Sequence, residues 1–212
     1  MSILDNIFDQ YLSLLIDILK ESYDQKFIQD ISNFIECEFK SLIISEATKN
    51  ITPNDPNQKM HIVTPCFIIA FYRAFKNKLG NELSLDLIKN LMMRTFREFV
   101  GPIAEMQKNG LKNVNDKWEK FREQTVFGTK NTYSSFDPVF IKNNDNNLEF
   151  HLNRCVFYEI LNAHGEPDLA PILCDYDYIF SEAVQEWITF RRPKTIADGF
   201  PSCHFVYFPN DE

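Results

Sequence analysis

The chain has 212 residues, 44% hydrophobic and 25% charged, with a net charge of −8 and a pI near 5.1. That length allows one domain with a real core or two small lobes, and the apolar content excludes disorder as the global state. The acidic balance argues against a general nucleic-acid face, which needs clustered basic residues, and disfavours an anionic membrane surface.

The first half reads as helical. Ile3, Leu4, Ile7, Phe8, Tyr11, Leu12, Leu15, Ile18 and Leu19 recur at three- and four-residue steps, the spacing of an amphipathic helix. A second stripe, Ile28, Ile31, Phe34, Ile35, Phe39, Leu42 and Ile43, predicts a helix from about Gln25 to Glu46. Pro53 and Pro56 among polar residues mark a loop over 50–57. Phe67 to Leu79 is apolar on nearly every side and predicts a buried helix, with Gly80 fitted to the left-handed position after it. Ser84 can cap a helix from Leu85 to Val100, which Gly101-Pro102 is expected to end. A shorter helix is expected over 116–124, after a break at Gly110.

The pattern changes after Gly128. Val139 to Ile141, the polar run Asn143 to Asn147, and Leu148 to Leu152 read as strand, turn and strand. In the second strand Phe150 and Leu152 share one face, and Glu149 and His151 the other. Helices are predicted over 155–162, closed by His164-Gly165, and over 166–182, with strands over 187–190 and 203–208. The expectation is an α+β protein: a helical lobe over 1–128, then an antiparallel sheet with packed helices over 129–212, or one continuous domain.

Five cysteines, an odd number without a CxxC pair, make a poor disulfide framework. The N-terminus lacks a basic segment followed by an apolar run, so no secretory signal is expected. No apolar run approaches the roughly 20 residues of a membrane helix. These features predict a cytoplasmic protein with reduced thiols and no membrane partner. Cys37 and Cys66 lie in apolar helices and are expected to pack.

The last sixty residues concentrate chemistry that packing alone does not explain. Cys155 is expected to open a helix, and Cys174 and Asp177 stand three apart, on one face of a helix. A closing block runs Arg192-x-x-Thr195-x-x-x-Gly199-x-x-x-Cys203-x-Phe205. Three thiols and a carboxylate supply residue types for a nucleophile and its base. Arg191 or Arg192 can present a guanidinium fork to a substrate carboxylate, while Thr195 and Gly199 suit a shaped loop. Cys155, Cys174, Cys203 and either His204 or Asp177 include zinc-ligand types. Their spacing is irregular, and Cys203 and His204 point to opposite faces if they share a strand, so neither metal nor cofactor is expected.

These motifs resemble the L-2-amino-thiazoline-4-carboxylic acid hydrolase family. The match is best over 154–208, and the helical half, especially Phe67 to Leu91, is similar by pattern. One departure is His204, where the family often has an acidic residue. The resemblance implies an enzyme that adds water to C2 of a cyclic amidine and opens the ring to a carbamoyl cysteine. It implies Cys155, Cys174, Asp177 and Cys203 as catalytic candidates, and Arg192, Thr195, Gly199 and His204 as substrate-binding candidates. The partner is then a small molecule, with a homodimer allowed. The ending Gly199-x-x-x-Cys203-x-Phe205 is also similar to the end of 4-vinyl-reductase-type domains, which implies the alternative of a non-catalytic small-molecule-binding or sensor domain. A third reading is an interaction protein whose thiols are simply core.

Overall fold

The computed structural model describes residues 2–210. It is an α+β structure: among the described residues, eight α-helices, joined in places by short 3₁₀ segments, and one four-stranded antiparallel sheet of order β1-β2-β4-β3. The helices are α1 (Ile3–Leu19), α2 (Gln25–Ile44), α3 (Glu46–Ile51), α4 (Val63–Leu79), α5 (Leu85–Lys112), α6 (Lys117–Thr132), α7 (Val156–Ala163) and α8 (Ala170–Ala183). The strands are β1 (Pro138–Asn143), β2 (Leu148–Leu152), β3 (Ile188–Lys194) and β4 (Cys203–Pro209). Among the described residues no helix is long and apolar enough to cross a membrane.

The chain divides into two compact units, each built from two segments. The first comprises residues 1–99 and 156–176. Its first three helices start where short polar side chains occupy orphan backbone donors. The Ser2 hydroxyl accepts from the Asp5 N–H while the Asp5 carboxylate accepts from Ser2, and Asp24 accepts from the Phe27 N–H. The predicted stripes face inward: Phe8, Tyr11, Leu15, Ile31, Ile35 and Phe39 are buried. α4 packs against α2, and Phe67, Phe71 and Phe75 have no exposed surface. Gly80 takes φ +55° after α4, a conformation that side chains disfavour.

The first unit also holds a polar tie. Arg73 donates to Glu38 at 2.8 Å, to Glu166 at 3.0 Å and to the His164 carbonyl at 2.7 Å. His164 Nε2 lies 2.9 Å from the Thr48 hydroxyl and 3.5 Å from that of Ser45. His164 is therefore more than a helix-ending residue: it links α7 to α3, and Arg73 links α4 to α2.

The second unit comprises residues 100–155 and 177–212. Leu111, Trp118 and Phe121 pack with Leu148, Phe150, Val184, Ile188, Cys203 and Phe205 as its core. In β2, Leu148 and Phe150 are buried inward, and Glu149 and His151 take the other face. The β2–β4 register pairs Phe150 with Phe205, His151 with His204, and Leu152 with Cys203. Pro193 lies in the edge strand β3, where the pairing shifts between Arg191 and Lys194; a residue without an N–H is tolerated there.

Local expectations fail in α5 and at Cys37. α5 does not stop at Gly101-Pro102 or break at Gly110 but continues to Lys112. Val100, Ala104 and Leu111 are buried, so the apolar stripe continues through the breakers, and packing outweighs the lost hydrogen bond of Pro102. Cys37, expected to pack, is exposed on α2, whereas Cys66 is fully buried.

Candidate active site

α8 carries Cys174 and Asp177 one turn apart, both partly exposed. Helical spacing puts them on neighbouring positions of one face. Cys155 is the residue immediately before α7 rather than its first helical residue, and it is also partly exposed. None of the five cysteines is in a disulfide.

Within the second unit, Arg192 Nη1 donates to the Asp177 carboxylate. The Arg192 side chain is only 6% exposed, and its guanidinium lies 5.1 Å from the centre of the Tyr178 ring. The Asp177 side chain is 37% exposed, so the pair joins a shielded guanidinium to a carboxylate open to solvent, and the charge-assisted hydrogen bond orients that carboxylate.

Cys203 adjoins this pair electrostatically but lies in the core. It is 8% exposed, and its sulfur accepts from the Ile196 N–H at 3.3 Å. Burial pushes its thiol pKa up; the Ile196 N–H opposes the shift, and the Asp177 charge adds to it. Cys203 is thus held as a neutral thiol, which is a poor nucleophile. Cys66 is pushed up to about 12 by burial.

Thr195 and Gly199 build the turn before β4. The Thr195 hydroxyl donates to the Asp198 carboxylate at 2.7 Å and accepts from the Asp198 N–H at 3.1 Å. Gly199 closes the turn at φ +85°, with its N–H on the Ile196 carbonyl. Both residues shape the segment between Arg192 and Cys203.

His204 takes the opposite face of β4 from Cys203. Its Nε2 lies 3.0 Å from Glu149 Oε1, and its ring meets that of His151 edge-on at 4.5 Å. The other Glu149 oxygen accepts from Lys142 at 3.1 Å. The candidate set therefore divides: Asp177, Arg192 and Cys203 belong to one neighbourhood, and His204 belongs with Glu149 and His151. Sequence reasoning placed Glu149 and His151 on one strand face but gave them no role. Their meeting with His204 depends on the β2–β4 register. A groove of about 470 Å³ in the same unit, lined in part by Arg122, Phe127 and Lys130, contains none of these residues.

Residues 59–207 match the family model described as L-2-amino-thiazoline-4-carboxylic acid hydrolase. Neither the comparison with curated proteins nor that with solved structures gives a match.

Proposed function

Because the chain belongs to the L-2-amino-thiazoline-4-carboxylic acid hydrolase family over residues 59–207, we propose that it hydrolyses a small cyclic amidine or related heterocycle at a Cys/Asp site. The observation that supports this reading is the Arg192–Asp177 pair, in which a shielded guanidinium from the closing block orients a solvent-accessible carboxylate of the Cys-x-x-Asp motif. Cys174, one turn earlier on α8, is the thiol we assign as nucleophile. Cys155 is the second candidate, and Cys203 serves packing.

In this scheme Asp177 accepts the thiol proton and the Cys174 sulfur adds to C2 of the ring. The ring C2–S bond breaks and its sulfur takes that proton from Asp177, which becomes a carboxylate again. Water, deprotonated by Asp177, then displaces the enzyme sulfur from C2, so the net change is the addition of one water to give the carbamoyl cysteine. Arg192 orients Asp177. With five N–H donors it also has the capacity to engage a substrate carboxylate.

The test is turnover of 2-aminothiazoline-4-carboxylate, with related cyclic amidines, amides and thioesters in the panel. Cys174→Ser and Asp177→Asn are each expected to lose at least about a hundredfold in rate with the fold intact, while Cys203→Ser keeps activity in whatever fraction stays folded. Full activity in the first two variants rules out the assigned pair. Binding without turnover in the parent protein replaces the enzyme reading with that of a small-molecule-binding domain.

A further inference from the structure

We propose that Glu149, His151 and His204 form a binding site for one divalent transition-metal ion, with Zn²⁺ as the reference ion, on the outer face of the sheet. The site is separate from the Asp177 neighbourhood and does not rest on the hydrolase reading. It departs from the expectation of no bound metal, which considered the three cysteines with His204 or Asp177 and their irregular spacing.

One ligand atom from each of the three residues can be chosen so that all lie within 4.8 Å of one another. Two ligands on a tetrahedral zinc with bonds of about 2.0–2.1 Å lie roughly 3.3 Å apart. His204 Nε2 and Glu149 Oε1, at 3.0 Å, are already near that spacing. His151 is the direct cross-strand partner of His204, and Glu149 is two residues before His151 on the same strand face. Side-chain rotation alone can bring the third ligand in, because paired strands fix the three backbones.

The donor set also has the right chemistry. Two imidazoles and one carboxylate suit zinc and its neighbours in the first transition row, and three protein ligands leave a position for water or an incoming ligand. Glu149 has a second oxygen already held by Lys142 at 3.1 Å. A metal on Oε1 would replace the His204 contact and leave Lys142 orienting the carboxylate from outside, as outer-shell groups do. The ligand side chains are partly shielded: Glu149 is 15% and His204 21% exposed. Two cations oppose a bound metal: Lys142, which holds the second Glu149 oxygen, and Lys194, which pairs in register with His204. Lys194→Gln is therefore expected to tighten metal binding without touching a ligand.

The test uses the full chain, stripped with a chelator, dialysed and titrated with Zn²⁺ and Co²⁺ near pH 7.5. One ion per chain is expected, with cobalt absorption of a nitrogen–oxygen site and no thiolate-to-cobalt charge-transfer band. His151→Ala and His204→Ala are each expected to weaken binding by at least about a hundredfold, the upper range for losing even an outer-shell partner. Should either variant fail to fold, the parent alone decides: its cobalt form must show paramagnetically shifted protons from two imidazoles. No retained ion at micromolar free metal, a thiolate band as the sole signature, or binding unchanged in the folded histidine variants overturns the proposal.

Discussion

His164 in the first unit and His204 in the second are both partly buried histidines with oxygen partners, yet their surroundings differ. Around His164 the partners come from distant parts of the chain: Thr48 and Ser45 meet its ring, and Arg73 meets its carbonyl while holding Glu38 and Glu166. The Thr48 hydroxyl is fully buried, so this network ties α3, α4 and α7 where no water reaches that hydroxyl. Around His204 on β4 the partners both stand on the paired strand β2, and its ring faces another ring and a carboxylate. The first cluster spends its hydrogen bonds on joining helices. The second gathers ligand atoms on a scaffold that backbone pairing already holds, so its side chains are available for another task.

The sharpest test of this contrast compares Arg73→Ala with His204→Ala in metal-free protein. Removing Arg73 strips three acceptors of a charged donor. At 30% side-chain exposure it is expected to cost about 2–3 kcal/mol, the range for hydrogen bonds to charged groups discounted for solvent. His204→Ala removes one partly exposed contact and is expected to cost less than about 1 kcal/mol. Urea denaturation of both variants measures the difference. Equal losses would mean that the sheet cluster is as structural as the Arg73 network.

Thr48→Val probes the same contrast inside the first cluster. Valine matches the shape of threonine but leaves His164 Nε2 without its 2.9 Å partner. Leaving a shielded polar atom short of a partner is expected to cost about 1–2 kcal/mol. A stability change within about 0.3 kcal/mol of zero would show that Ser45, at 3.5 Å, takes over the contact.

Legibility followed the range of the interaction. The stripes of α1 and α2 and the alternation of β2 are local, so they could be read directly from spacing. The continuation of α5 past Pro102 depends on what buries Ala104 and Leu111, and local propensity pointed the other way. The units alternate along the sequence because the chain passes between them within α5, just before α7 and within α8, whereas composition changes near Gly128. Among the site residues, Asp177 and Arg192 stood out by motif, but their pairing did not, because it joins α8 to β3. Cys203 looked like a catalytic thiol by motif, and only its place opposite Leu152 in a packed sheet shows it as core. The Glu149–His151–His204 cluster needed a register, which the alternation of each strand cannot supply alone.

The smallest expected effect is the pH dependence that His164 contributes. Burial lowers its pKa below the ordinary 6.5, and the Arg73 charge lowers it further, while Glu38 and Glu166 pull the other way. Between the folded pKa and 6.5 the unfolded chain therefore binds more protons than the folded one. Stability rises with pH through that window, and the contribution of neutral His164 is lost as pH falls through it. Carboxylates with lowered pKa, such as Asp30, lose their contribution only at more acidic pH, from the ordinary carboxylate range downward, so the interval from pH 7 to 5.5 reports mainly on histidine. His151 is also lowered, by burial first, and contributes to the same slope in both proteins of the comparison. The measurement is the stability difference between the parent and His164→Gln, taken by urea denaturation at several pH values. It is expected to favour the parent most at pH 7 and to shrink as pH falls. A difference that stays constant, or grows on acidification, would mean that the network around Arg73 accepts a charged His164, and the contrast between a closed cluster and an open one would lose its electrostatic basis.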